Sequence, residues 1–175
     1  MKIFVGCSCA LNVDKIYLEE TRKLAELLCK YNHTLVFGSS SNGMMGVLYD
    51  TFRKNCKNIV SIFPKNYSGV LQKLESDTFI EVDNPTDHIK KLVNYGDMTI
   101  ILPGSFGTTA ELVTAIQCKK LGENKKKIII YNMNHYFDEL LEAFNKPYKE
   151  KFDDCDPNTL YSIVNNIEEI EKYLM

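Results

Sequence analysis

Two patterns of hydrophobic and polar residues follow each other along the chain. Short, continuous apolar runs such as Met98 to Leu102 are typical of strands covered on both faces of a sheet. Longer stretches place apolar residues three and four positions apart, as in helices that pack one face on a sheet. The pattern predicts strands at 2–7, 34–37, 59–63, 78–82, 98–102, 128–131 and 160–164. It predicts helices at 14–31, from the turn at 38–46 to about 54, and at 86–95, 108–121, 136–144 and 167–174.

This alternation of strands and helices predicts the fold class. We expect one α/β domain over residues 1–175, a Rossmann-like parallel sheet with helices on both faces. The length suits a single domain with a substantial core. Ligands of such sheets bind beyond the carboxyl ends of the strands. The loops at 6–10, 38–43, 83–88 and 103–108 are therefore expected to lie together at one edge.

The stretch at 100–111 carries the strongest candidate chemistry. Its apolar strand stops at Pro103, and two glycines follow, which allow backbone approaches that a Cβ would obstruct. We expect Thr108 or Thr109 to cap the next helix, whose free N–H groups then form an anion site. Glu111 is accordingly expected in the first turn, where it holds the helix end or faces the bound group.

The segment from Gly38 to Gly46 repeats this layout of apolar strand, small-residue turn and helix start. Backbone N–H groups in such turns hold phosphate in many α/β proteins. The segment is neither a Walker A motif nor a GxGxxG, and a tight strand–helix turn would explain it equally well. Two such loops in one small domain favour a ligand that carries phosphate or ribose.

Charge and composition argue against several other classes. A formal net charge of −2 gives no electrostatic footprint for nucleic acid or an anionic membrane, and no apolar run approaches the length of a membrane span. The N-terminus is interpreted as a strand, so we expect a cytoplasmic protein. The six cysteines form no CxxC pair and the three histidines show no ligand spacing. We therefore expect no metal, and free thiols in a reducing compartment, with Cys29 and Cys118 on buried helix faces.

Three segments resemble one known family. Pro103-Gly-Ser-Phe-Gly-Thr-Thr-Ala-Glu111 resembles the PGGxGTxxE signature of the LOG ("lonely guy") phosphoribohydrolases, which are often described as lysine decarboxylases. Gly38-Ser-Ser-Ser-Asn-Gly-Met-Met-Gly46 resembles the GGGxxGLMG loop of that family. Gly6-Cys7-Ser8 is similar to the Gly-Ser-Ser that ends its first strand. The order of elements is similar over nearly the whole chain.

The resemblance implies a Rossmann-like homodimer without a cofactor. It would cleave the N-glycosidic bond of a nucleoside 5′-monophosphate, either AMP or a cytokinin riboside monophosphate, to free base and ribose 5-phosphate. The signature glutamate falls on Glu111, whose carboxylate would stabilise a ribosyl cation and steer water to its anomeric carbon. The family's catalytic arginine falls on His88, which replaces its charge only when protonated. The implied substrate and phosphate contacts are Gly6, Ser8, Gly38, Ser39, Ser40, Gly43, Pro103, Gly104, Ser105, Phe106, Gly107 and Thr108.

Two alternatives stay open at this point. Serines occupy three of the family's glycine positions, and together with His88 they favour a nucleotide-binding protein of the same fold with lost or altered catalysis. A nucleoside deoxyribosyltransferase-like enzyme would share the first strand and the placement of Asp97 and Glu111, although that family lacks the 38–46 loop. A lysine decarboxylase is disfavoured, because no lysine has a recognisable cofactor setting.

Overall fold

The computed structural model describes residues 1–65 and 71–175. Within these ranges one parallel sheet contains β1 (Lys2–Gly6), β2 (Thr34–Phe37), β3 (Ile59–Pro64), β4 (Thr78–Val82), β5 (Met98–Ile101), β6 (Lys127–Tyr131) and β7 (Ser162–Val164). The helices are α1 (Lys15–Lys30), α2 (Gly43–Asn55), α3 (Pro85–Tyr95), α4 (Phe106–Lys120), α5 (Asp138–Lys149) and α6 (Ile167–Leu174). Short 3₁₀ helices lie at Met133–His135 and Pro157–Thr159. The residues between the predicted strands at 59–63 and 78–82, for which the pattern predicts neither helix nor strand, lie partly outside the described residues.

Helices cover both faces of the sheet, which confirms the predicted fold class. Ile3 and Val5 of β1 point into a core shared with α1, α2 and α6. Phe4 points the opposite way, into a second core shared with α3, α4 and α5. Because side chains alternate along a strand, one short apolar run supplies both cores. No helix within the described ranges has the length and apolar character needed to cross a bilayer.

The strand order is β4-β3-β2-β1-β5-β6-β7. The chain builds outward from β1 to β4, then crosses back and continues from β5 to β7. The topological switch point therefore lies between β1 and β5, where ligands of doubly wound sheets bind. Backbone hydrogen bonds join the two loops there, since Ser8 N donates to Pro103 O (3.1 Å) and Leu102 N donates to Gly6 O (2.9 Å).

The start of α4 differs from the prediction. Ser105 is the N-cap, the helix begins at Phe106, and Thr109 N donates to Ser105 O (2.9 Å) as the first intrahelical bond. The predicted cap at Thr108 or Thr109 is wrong, and Glu111 lies in the second turn. The close packing of the preceding loop explains the shift, because a Cβ on Gly104 would overlap the Thr108 side chain. Thr108 is thereby buried inside the first turn instead of capping it.

Two other helix ends also differ. Asn84 caps α3, with its side chain accepting from Asp87 N (2.9 Å) and Pro85 at the first helical position, so the helix begins one residue before the predicted start at 86. Helix α5 runs to Lys149 with Pro147 inside it, past the predicted end at 144.

The structure also corrects the expectation that all cysteines are free. Cys29 near the end of α1 and Cys56 at the end of α2 form a disulfide, with their Cα atoms 5.6 Å apart. That separation lies within the usual range for disulfides. Spacing along the chain gave no sign of this bond, because the two residues meet only when the helices pack side by side. Cys118 is free and buried, as predicted.

Candidate functional site

A cleft of about 420 Å³ lies at the switch point between β1 and β5. The β1–α1 loop forms one wall and the first two turns of α4 form another. The start of α3 and the ends of α2 and β3 nearest the loops complete it. Among the described residues, its lining consists of Cys7, Ser8, Cys9, Ala10, Met45, Pro64, Leu71, Pro85, His88, Ile89, Ser105, Gly107, Thr108 and Glu111.

Glu111 contributes the carboxyl group of the cleft. Its side chain is only 5% exposed, and Oε2 has no hydrogen-bond partner among the described residues. Burial raises the pKa of Glu111 to about 8, because a charged carboxylate loses its hydration there. No lysine or arginine lies among the described lining residues to offset that loss. At neutral pH the buried Glu111 carboxyl is therefore mostly protonated.

Two thiols lie close to this carboxyl. Burial raises the pKa of Cys7 well above its usual value, and the nearby Glu111 raises it further. Burial likewise raises the pKa of the half-buried Cys9. Both thiols are therefore protonated and weakly nucleophilic at neutral pH. Within the part of the chain that the structure describes, no three His, Cys, Asp or Glu side chains converge into a metal-binding group.

His88 lies on α3 and is 7% exposed. Its Nε2 donates a hydrogen bond to Ile62 O (2.8 Å), and its ring lies against Gly38. Burial lowers the pKa of His88, so the ring is neutral at pH 7 and Nδ1 carries the free lone pair. The role expected of His88 at the family's arginine position stays a prediction. It requires that a bound anion draw a proton onto the ring.

The N-terminus of α4 offers unpaired donors to the same cleft. The N–H groups of Phe106, Gly107 and Thr108 precede the first intrahelical donor, and none has a backbone acceptor among the described residues. Such donors, aligned with the helix dipole, bind anions. The first turn of α2 is a weaker candidate, because Met45 N already donates to Ser8 O (3.2 Å).

The turn after β2 contacts the segment at Gln72 instead of lining the described cleft. Ser39 has a positive φ of 62°. Its Oγ donates to Gln72 O (2.5 Å), and its carbonyl accepts from Gln72 N (2.8 Å). Ser40 Oγ accepts from Asn42 N (3.2 Å). Gly43 packs against the β1–α1 loop, where a Cβ would overlap Ala10 O. These contacts hold the loops in place. The expected contact of Ser39, Ser40 and Gly43 with substrate stays a prediction.

The structure thus gathers part of the predicted site at one cleft. Ser8, His88, Ser105, Gly107, Thr108 and Glu111 line it. Gly6 lies directly against the Glu111 carboxyl, and Gly104 O accepts a hydrogen bond from Tyr136 (2.7 Å). Pro103 is buried in the same loop, and the Phe106 side chain is 94% exposed beside it. The remaining predicted residues, Gly38, Ser39, Ser40 and Gly43, lie outside the described lining.

Sequence reasoning missed the apolar part of the lining. Met45, Pro64, Leu71, Pro85 and Ile89 come from four separate segments, and of these five only Met45 belongs to a motif, the 38–46 loop. Pro64 and Pro85 did carry a usable signal, because each lies where a strand ends or a helix begins at the predicted ligand edge. The others become cleft residues only through the packing of α2, α3 and the segment after β3.

Curated relatives match most of the chain. A probable cytokinin riboside 5′-monophosphate phosphoribohydrolase of Arabidopsis thaliana is 31% identical over 153 residues, covering 86% of this chain and 75% of the relative. A probable enzyme of the same description from Oryza sativa subsp. japonica is 28% identical over 181 residues, covering 98% and 72%. A further Arabidopsis cytokinin riboside 5′-monophosphate phosphoribohydrolase is 29% identical over 154 residues, covering 86% and 71%.

Solved structures show the same fold at low identity. The molybdenum cofactor carrier protein of Chlamydomonas reinhardtii superposes with a TM-score of 0.74 at 13% identity, covering 99% of this chain and 94% of the other. The molybdenum cofactor binding protein of Rippkaea orientalis gives 0.71 at 19% identity, covering 99% and 97%. These likenesses concern the fold alone.

The family model described as "possible lysine decarboxylase" matches residues 45–174. That range contains all of α2 except its first two residues, and also β3 to β7 and the cleft residues of α3 and α4. The description names a decarboxylase, whereas the curated relatives are phosphoribohydrolases. The family model covers most of the chain, the curated relatives are LOG phosphoribohydrolases, and the 103–111 segment lies at the switch point. The chain therefore belongs to the LOG family.

Proposed function

We propose that this protein hydrolyses the N-glycosidic bond of a nucleoside 5′-monophosphate, giving free base and ribose 5-phosphate. One observation carries the proposal: the buried Glu111 carboxyl lies in the same cleft as the unpaired N–H groups of α4. A phosphate and a ribosyl carbon are separated by a few bonds, so one ligand can meet both groups. The phosphoribohydrolase relatives supply the reaction class.

In this proposal the phosphate binds the N–H groups at 106–108, and the ribose lies over Glu111. The apolar lining at Met45, Pro64 and Ile89 would cover the base. The bond from the anomeric carbon to the base nitrogen breaks, and its electron pair leaves with the base. Positive charge develops on the ribose, and the Glu111 carboxylate stabilises it. Water then adds to the anomeric carbon. One of its protons passes through the Glu111 carboxylate to the departing base, and the other stays on the new hydroxyl.

In this proposal Glu111 acts in its ionised form, which its burial disfavours. A developing cation beside the carboxyl favours ionisation, because opposite charges at short range lower a carboxyl pKa. Because kcat/KM follows the pKa of the free protein, kcat/KM should rise with pH through the region of about 8. If Glu111 instead donated a proton to the departing base, kcat/KM would fall over the same range.

A second candidate is nucleotide binding without turnover. It is favoured by the neutral His88 and by the lack of lysine and arginine among the described lining residues. Such a protein would use the α4 N-terminus in the same way but would leave the glycosidic bond intact.

The discriminating experiment incubates the purified protein with a panel of 5′-monophosphates. The panel includes AMP, N6-substituted adenosine monophosphates, GMP and CMP, with the matching nucleosides as controls. Free base and ribose 5-phosphate are quantified by chromatography, and binding is measured by calorimetry. Hydrolysis supports the proposal, whereas binding without release supports the second candidate. Base exchange that requires an added acceptor base would instead indicate a deoxyribosyltransferase-like enzyme. Release of neither product, with no binding, would exclude all three.

We further propose that the protein is a homodimer. The expectation comes from the family, and apolar residues left at the surface of α4 are consistent with it, since Val113 is 45% exposed. Light scattering at micromolar concentration measures the mass directly. A monomeric mass would contradict this part of the proposal.

A further inference from the structure

We infer that Gly6 is a positioning residue for Glu111, because its missing side chain leaves the space in which the Glu111 carboxyl lies. Gly6 ends β1, is buried, and does not belong to the described lining of the cleft. Its contribution to the reaction would therefore pass through Glu111 and not through contact with the ligand. The inference rests on the proposed function for its effect on turnover, but not for its structural content.

The geometry is specific to this position. A Cβ on Gly6 would lie 2.6 Å from Glu111 Oε2 and 2.8 Å from Ile101 Cδ1. Real Cβ contacts are longer than 3.0 Å, so at least one of these side chains has to move. Backbone conformation gives no separate reason for glycine, because Gly6 lacks the positive φ that Gly43 and Gly122 have. Space alone requires glycine here.

Of the two side chains that a Cβ at Gly6 would meet, the Glu111 carboxyl is displaced more easily than Ile101. Oε2 has no hydrogen-bond partner among the described residues, so packing against Gly6 is what fixes it on that side. Ile101 is fully buried between its neighbours in the second core, whereas Glu111 borders the open cleft. A methyl group at Gly6 would thus push the carboxyl outward, toward water and away from its position under the ribose.

Such a shift changes chemistry as well as packing. Hydration of the displaced carboxyl would return its pKa toward the ordinary value, because burial is the cause of the increase. Cys7 and Cys9 on the β1–α1 loop and His88 on α3 are the other titratable groups lining the described cleft. All three stay unchanged in the variants below, so a changed titration reports on Glu111.

The test uses Gly6→Ala, Ile101→Val and the double variant. Ile101→Val removes the Cδ1 atom that a Cβ at Gly6 would meet, and leaves the contact with Glu111. We expect Ile101→Val to turn over like the unmodified protein. Gly6→Ala should lose at least tenfold in kcat with KM little changed, and the midpoint of its pH–rate profile should move to lower pH. The double variant should behave like Gly6→Ala. Recovery of turnover in the double variant, or an unmoved midpoint, would overturn the inference.

A readout without turnover separates this inference from the proposed function. In protein with 13C-labelled glutamate carboxyls, the Glu111 signal is assigned by its loss in Glu111→Gln. Its titration midpoint should be lower in Gly6→Ala than in the unmodified protein, and an equal midpoint would refute the inference. If the protein releases no base from any nucleotide, the proposed function is refuted. The Glu111 titration still tests the positioning role of Gly6 in that case.

Stability provides a control in case Gly6→Ala folds poorly. The decrease in urea midpoint that Gly6→Ala causes is measured in protein with Glu111, and again in Glu111→Ala protein, where the carboxyl is absent. We expect the loss to be clearly smaller in the second background, because the two side chains no longer overlap. The same loss in both backgrounds would show that Gly6 does not act through Glu111.

Discussion

Replacing Glu111 with glutamine should stabilise the fold at neutral and alkaline pH, by an amount that grows with pH. Burial raises the pKa of Glu111 from 4.5 to about 8, with no cation among the described lining residues to offset it. An acid whose folded pKa is raised gives a protein whose stability is full below the unfolded pKa. That stability is lost as the pH rises toward the folded value. Glutamine has no proton to lose and escapes this penalty.

The magnitude follows from the interval between the two pKa values. Each unit is worth about 1.36 kcal/mol, so the penalty is about 3 kcal/mol at pH 7 and approaches about 5 kcal/mol above pH 8. The amide and the protonated carboxyl both lack a partner in this position, so their remaining burial costs largely cancel. For a chain of this size, about 3 kcal/mol corresponds to an increase in Tm of roughly 6–12 °C at pH 7.

Urea unfolding of both proteins at pH 5, 7 and 8.5 measures this difference. The exposed Glu26 on α1 provides a matched control, since Glu26→Gln makes the same chemical change at a hydrated position. We expect a gap that is small at pH 5 and widens steadily for Glu111→Gln, with no comparable trend for Glu26→Gln. A gap that does not vary with pH would refute the argument, as would a Glu111→Gln protein that is less stable at pH 8.5. The latter result would mean that an unseen cation pairs with Glu111.

Three further predictions concern binding, charge and cross-linking. AMP should bind more tightly than adenosine in calorimetry, because the α4 N-terminus is free to bind the phosphate; equal affinities would remove the phosphate site from the account. His88→Arg should increase base release and lower the midpoint of its pH profile, since a permanent cation favours the ionised Glu111; unchanged kinetics would show that charge at this position is not limiting. Reduction of the Cys29–Cys56 disulfide, which spans 27 positions, should cost about 3.5 kcal/mol in urea unfolding. The Cys29→Ser/Cys56→Ser variant should not respond to reductant, and an equal response of both proteins would argue against the bond.

The layered fold could be predicted because its signals are local. Apolar runs such as 34–37 and 98–102 have no polar face, so they required a sheet covered on both sides. Asp14 caps α1 and Gly96 follows the end of α3, close to the predicted bounds at 14 and 95, since capping depends on residues within one turn. The gathering of the strand–helix loops at one edge of the sheet could be predicted in the same way, because parallel strands bring their carboxyl ends together.

What the sequence did not reveal depends on contacts between distant segments. The start of α4 depends on how Gly104 packs against Thr108, which overrides the capping preference of threonine. The protonation of Glu111 depends on its burial against Gly6 and on the lack of lysine and arginine among the described lining residues, which no local pattern reports. The Cys29–Cys56 bond likewise exists only once α1 and α2 are packed.

The proposed reaction depends on the Glu111 carboxylate to drive cleavage of the glycosidic bond. It is tested most directly at pH 8.5 by measuring base and ribose 5-phosphate released from a nucleoside 5′-monophosphate by the unmodified protein and by Glu111→Gln. Nucleotide affinity is measured on the same preparations. We expect equimolar products from the unmodified protein, and a loss of about 100-fold or more in turnover for Glu111→Gln with affinity almost unchanged, because the charge on the ribose develops in the transition state. Equal turnover by the two proteins would refute this role of Glu111.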